Sequence, residues 1–125
     1  MKRTLIALFA AAALPLAALA HEAAKGPNGG LVVDAAGHHV EMVAKGTDLV
    51  LYLTEEDDKP LASAGAKNAR AIVQDKGKTT TVPLSPAQPN KLVGTLPSPL
   101  GSGARVVVSA TMVDGHAVQA RFVNN

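Results

Sequence analysis

The histidines of this sequence are the side chains best suited to bind a transition metal. The chain has four histidines, three methionines and no cysteine. Imidazole nitrogen binds zinc and copper, and thioether sulfur suits Cu(I), whereas the lack of cysteine excludes disulfides, thiolate zinc sites and iron–sulfur clusters. We therefore expect a metal site for copper or zinc. Its candidate ligands are His21, His38, His39, Met112, Asp114 and His116.

The Asp-Gly-His segment at 114–116 predicts a hairpin between two strands. A two-residue turn would set the inward row of one strand against the outward row of the other. A three-residue loop over 113–115 instead pairs Met112 with His116 and gives the glycine the left-handed position. Directly opposite residues have Cβ atoms about 4.5–5.5 Å apart, so Met112, His116 and Asp114 could share an ion. The alternative is an ordinary hairpin with an exposed histidine.

The second histidine group is His38-His39-x-Glu41, in a predicted strand. Adjacent strand residues point to opposite faces, so His38 and His39 are not expected to bind one ion together. His39 and Glu41 share the outward face and could form half of a zinc or copper site. His38 has the inward parity of Met42 but lies at the end of the strand. The alternative is a polar strand end.

The N-terminus has the features of a secretory signal peptide. A positive start, Met1–Arg3, precedes the apolar run Thr4–Leu19, and alanines at positions 18 and 20 fit signal peptidase. A membrane anchor is the alternative, but the run is shorter than the about 20 apolar residues of a spanning helix. We predict cleavage after residue 20, export of the mature chain and no membrane anchor afterwards. His21 would then offer its free amine and its ring Nδ1 to one ion.

Charge and composition argue against nucleic acid as a partner and against an enzyme. Without Lys2 and Arg3, ten basic residues remain against ten acidic ones, and aromatic residues make up only 2% of the chain. Such a chain lacks the basic surface and the flat rings that nucleic-acid binding uses. No nucleophile elbow, phosphate loop or dinucleotide fingerprint occurs, since Pro27 removes an amide donor from the glycine-rich segment 26–30. We therefore expect no enzymatic activity.

Alternation of apolar and polar residues with a period of two dominates the chain after residue 30, and no segment has a convincing helical period. Turns at 46–47 and 76–77 would pair Lys45 with Asp48 and Asp75 with Lys78. Frequent turns between short strands predict an all-β fold. We expect an immunoglobulin-like β-sandwich of about seven short strands over residues 31–125, after an irregular arm at 21–30. A small barrel is the alternative.

Two resemblances accompany these features. The opening Lys25-Gly-Pro-Asn-Gly-Gly, the His-His-Val-Glu-Met strand and the Leu51–Leu61 segment resemble a small exported β-domain related to the periplasmic adaptor subunits of heavy-metal efflux systems. This resemblance implies a periplasmic address and an efflux component as partner. The segment Ser109–Val123 is similar to the end of the periplasmic copper-resistance β-sandwich proteins. That likeness implies Cu(II) ligands at His21, Asp114 and His116.

These features lead to two hypotheses from different classes. The first is a periplasmic metal-binding β-sandwich that buffers or carries copper or zinc for efflux. Its expected site is His21, Asp114 and His116, with Met112 as a soft ligand and His38 and His39 as a lesser candidate. The second is a metal-free interaction module that docks on an envelope partner through an exposed strand edge.

Overall fold

A computed structural model of the protein describes residues 24–125, which form ten antiparallel strands and no helix. None of these residues belongs to a helix that is long and apolar enough to cross a membrane. The predicted signal peptide, residues 1–20, and His21 lie outside the described residues. The strands are β1 (Ala24–Lys25), β2 (Leu31–Ala35), β3 (His38–Lys45), β4 (Asp48–Glu55), β5 (Lys67–Asp75), β6 (Lys78–Pro83), β7 (Ser85–Ala87), β8 (Lys91–Thr95), β9 (Arg105–Thr111) and β10 (Ala117–Val123).

The strands form two sheets, which confirms the all-β prediction. One sheet has six strands in the order β1-β2-β3-β4-β8-β7, and the other has four in the order β10-β9-β5-β6. The described residues hold ten strands where the sequence predicted about seven, and the three additional ones are β1, β2 and β7. Strands β1 and β7 are too short to show alternation, and β2 begins with three consecutive apolar residues that are all half-buried. Strand β1 lies within the predicted irregular arm and pairs with β2.

The predicted hairpin registers are confirmed at the turns 46–47 and 76–77. Lys45 pairs with Asp48 across the β3–β4 turn, and Asp75 pairs with Lys78 across the β5–β6 turn. Pro83 lacks an amide donor, so within a sheet it suits an edge strand. It lies in β6, which is the edge strand of the four-stranded sheet.

One apolar core joins the two sheets. The longer strands contribute alternate residues to it, as period-two alternation requires, whereas β1 and β7 contribute none. From the six-stranded sheet come Val40 and Leu51, and from the four-stranded sheet come Val106 and Phe122, all of them buried. At one rim of this core, the ends of two strands position His38 and His116.

Candidate metal centre

Two histidines from different sheets meet at one end of the molecule. His38 is the first residue of β3, and His116 immediately precedes β10. Strand β10 lies against β2, and β2 pairs with the start of β3 through Ala35 and His38. The two imidazole rings are stacked, with centroids 4.8 Å apart and planes inclined by 26°. The sheet packing therefore brings together two residues that are 78 positions apart in the chain.

The loop that carries His116 has the predicted three-residue form. Ala110 pairs with Val118 in the β9–β10 ladder, and the Met112 amide donates to the His116 carbonyl over 2.9 Å. Gly115 has a φ of +92°, the left-handed conformation expected at the end of such a loop. Met112 is buried and belongs to the core. This register places His116 directly opposite the buried Met112.

Asp114 is held against His116. Its Oδ1 accepts a hydrogen bond from the His116 backbone amide over 3.1 Å and is also paired with the His116 ring Nδ1. The backbone hydrogen bond is the largest cause that lowers the pKa of Asp114. Desolvation opposes it, and the ring's hydrogen bond and charge add to it. Asp114 Oδ1 is therefore bound both to the backbone amide and to one edge of the imidazole ring of His116.

Each stacked ring has one nitrogen that is shielded from solvent and has no hydrogen-bond partner among residues 24–125. These atoms are His38 Nδ1 and His116 Nε2. Most buried polar atoms in folded proteins have a partner, so an unpartnered pair in contacting rings calls for an explanation. Imidazole nitrogen is a strong ligand for transition metals, so these two atoms are the best candidate metal ligands of the described structure.

The stack itself is not a ligating arrangement. A nitrogen lone pair lies in the plane of its ring, and a zinc ion sits about 2.0–2.1 Å from the nitrogen. Planes that are inclined by only 26° with centroids 4.8 Å apart do not meet so close to both rings. No group of three or more His, Cys, Asp or Glu side chains within residues 24–125 is arranged to hold an ion. Joint binding requires at least one ring to turn.

His39 and Glu41 have different partners in the structure. His39 Nε2 lies 2.8 Å from Asp34 Oδ1, and His39 Nδ1 lies 3.8 Å from Asp58 Oδ1. Glu41 is instead enclosed by the glycine-rich loop 26–30, whose Asn28 and Gly30 amides donate to its carboxylate. Metal binding by these two residues stays a prediction, and in the structure each of them is engaged by other groups. His39 also lies apart from the stack, on the opposite face of β3 from His38.

The sequence treated His38 and His116 as members of separate groups. Alternation indicated that both side chains face inward, since His38 has the parity of Met42 and His116 lies opposite Met112. Alternation does not tell, however, which ends of two sheets meet. Glu41 was missed as a structural residue. The run of glycines at 26–30 was a possible signal, because glycine permits the backbone to approach another group closely. A Cβ at Gly26 would lie 2.3 Å from the Glu41 Cδ.

Comparisons with protein-family models, with curated proteins and with solved structures found no match. The resemblances to efflux adaptor domains and to copper-resistance proteins therefore remain expectations from the sequence. So does the reach of His21 to the hairpin, since this residue lies outside the described range. The assignment of a function must rest on the chemistry of the side chains themselves.

Proposed function

We propose that this chain is a metal-binding β-sandwich protein that holds a copper or zinc ion between His38 and His116. The observation that carries the proposal is the contact of two imidazoles, each with a solvent-shielded nitrogen that has no partner among residues 24–125. His38 would bind through Nδ1 and His116 through Nε2. A neutral imidazole has one nitrogen lone pair to give, and these two atoms are unengaged by other residues of the described chain.

A site with two imidazoles leaves coordination positions open. Structural zinc sites are closed by four protein ligands, whereas sites with fewer protein ligands keep positions for water or an exchanging partner. This property suits a buffer or carrier, which must release its ion to another protein. The features of a signal peptide at residues 1–20 and the likeness to efflux adaptor domains support a periplasmic address and a link to metal efflux.

Binding has a structural cost and a structural consequence. The rings must leave the stacked arrangement, because both lone pairs cannot point to one ion while the planes are nearly parallel. At least one imidazole turns about its side-chain bonds, and the shielded nitrogens then face the ion. A zinc-bound structure is expected to show the two rings unstacked, with the β9–β10 ladder unchanged.

The test is a zinc titration of the protein that begins at His21, by competition with a chromophoric chelator. His38→Ala and His116→Ala should each lower the Zn(II) affinity at least tenfold, which is about 1.4 kcal/mol. His39→Ala is the matched control, since its ring is paired with Asp34 on the other face, and it should change the affinity little. Equal affinities for the wild type and both alanine variants would contradict the proposal.

A second form separates the contribution of the chain terminus. One residue added before His21 removes the free amine from any amine–imidazole chelate and leaves every side chain in place. If His38 and His116 are the principal ligands, the extended form should keep its Zn(II) affinity and its dependence on both histidines. Loss of binding in the extended form alone would assign the ion to the terminus. A wild type that binds neither Zn(II) nor Cu(II) would favour the metal-free docking module.

A further inference from the structure

The structure assigns Asp114 the role of a positioning residue that holds the proton of His116 on Nδ1 and so leaves Nε2 to bind the ion. This inference rests on the proposed function and deepens it, because it names how the site is set before an ion arrives. It also departs from the sequence expectation, in which Asp114 was itself a metal ligand.

The first step concerns the proton on the ring. An ionised carboxylate only accepts hydrogen bonds, so an imidazole nitrogen that is paired with it must carry the hydrogen. Asp114 Oδ1 is paired with His116 Nδ1. A neutral imidazole has a proton on one nitrogen and a lone pair on the other. In the neutral ring, the lone pair of His116 is therefore on Nε2, which is the shielded atom without a partner among residues 24–125.

The second step concerns the anchoring of the carboxylate. Oδ1 also accepts from the His116 backbone amide, so one oxygen spans the backbone and the ring of the same residue. Gly115, at a φ of +92°, closes the loop that makes this approach possible. The backbone contact fixes the carboxylate relative to the imidazole, and the ring contact then fixes the orientation of the imidazole.

The third step excludes a double role for this oxygen. Nδ1 and Nε2 point to nearly opposite edges of an imidazole ring, so a group bound at Nδ1 lies on the far side from an ion bound at Nε2. Asp114 thus acts through His116 and does not contact the ion. Carboxylates that accept from the second nitrogen of a ligating histidine raise its basicity, and their removal commonly costs about 10–100-fold in metal affinity.

The chain contains a matched control for this pair. Asp34 Oδ1 lies 2.8 Å from His39 Nε2, so the molecule has a second carboxylate–imidazole contact away from the stack. Asp34 and Asp114 are both exposed aspartates beside a histidine. A change at Asp34 removes the same kind of contact and should leave the site of His38 and His116 untouched.

The experiment reads the ring nitrogens of the ¹⁵N-labelled protein by long-range proton–nitrogen correlation, before and after Zn(II) is added. In the metal-free wild type, His116 should carry its proton on Nδ1. Asp114→Ala should shift His116 toward the Nε2-protonated form and lower the Zn(II) affinity by about 10–100-fold. Asp114→Asn keeps an acceptor oxygen, so it should retain more of the tautomer and of the affinity. Asp34→Ala should change neither.

The outcomes separate this inference from the proposed function. Zn(II) should shift the Nε2 resonance of His116; a shift of Nδ1 instead, or an unchanged tautomer in Asp114→Ala, would overturn the positioning role. The tautomer is read without metal, so its result does not depend on whether the ion binds. Failure of the wild type to bind zinc would overturn the proposed function by itself. The amide spectrum of each variant shows whether the β9–β10 ladder is intact.

Discussion

The carboxylate of Glu41 should be one of the largest polar contributions to the stability of this domain. It is only 4% exposed, although it lies on the outward face of β3. Asn28 donates to it from its backbone amide over 3.0 Å and from its side-chain amide over 3.0 Å, and the Gly30 amide donates over 2.8 Å. Three donors of the loop 26–30 thus converge on one buried carboxylate.

The magnitudes follow from what each substitution leaves unpaired. Glu41→Ala leaves three hydrogen-bond donors without an acceptor, and each buried donor without a partner costs about 1–3 kcal/mol. Because the loop is largely exposed, water can recover part of this loss, and we expect a total of about 3–5 kcal/mol. Glu41→Gln keeps one acceptor oxygen for the backbone amides, and the Asn28 side chain can flip to accept from the new amide. This substitution then loses only the additional strength of hydrogen bonds to a charged acceptor, and we expect it to cost about 1–3 kcal/mol.

Urea unfolding followed by far-ultraviolet circular dichroism measures these differences. Tyr52, the single tyrosine, pairs with Glu41 in the β3–β4 register, so its fluorescence reports unfolding beside the loop. Asn28→Ala provides the second edge of a double-mutant cycle, which should show a coupling of at least about 1 kcal/mol. The reasoning would be refuted if Glu41→Ala cost less than about 1 kcal/mol, or if Gln cost as much as Ala.

Three further outcomes are expected. Val108→Ala should cost about 1–3 kcal/mol in urea unfolding because it empties buried volume, and Val107→Ala, whose side chain is on the half-buried face, should cost less. Hydrogen bonds from His116 lower the pKa of Asp114 below its ordinary 3.8, so its stabilisation is present above that pH and is lost as pH falls through the lowered pKa. The stability difference between wild type and Asp114→Asn should therefore shrink in acid, and a growing difference would contradict this. Lys76→Asn should raise the free energy of urea unfolding by about 1 kcal/mol, because position 76 has a φ of +50° and asparagine adopts the left-handed conformation more readily than lysine does. An unchanged or lower value would contradict this.

Local interactions explain why the hairpins could be predicted. A turn of fixed length and the requirement that two apolar rows face the same side leave one register, as at Lys45 and Asp48. The same reasoning rejected a two-residue turn before His116 and gave the three-residue loop that the structure has. Residues of one hairpin are neighbours in the chain, so alternation alone is enough to align them.

The pairing of His38 with His116 could not be obtained in this way. It depends on β10 of one sheet packing against β2 of the other, and nothing in the alternation of either strand specifies that contact. The proposed role of Asp114 rests on its contact with the His116 ring Nδ1, which alternation does not specify either. In the hairpin alone, a carboxylate beside an imidazole resembles a two-residue half of a metal site. In the proposed site, where His38 supplies the second imidazole, Asp114 would act at the edge of His116 that turns away from the ion, as a positioning residue and not as a ligand.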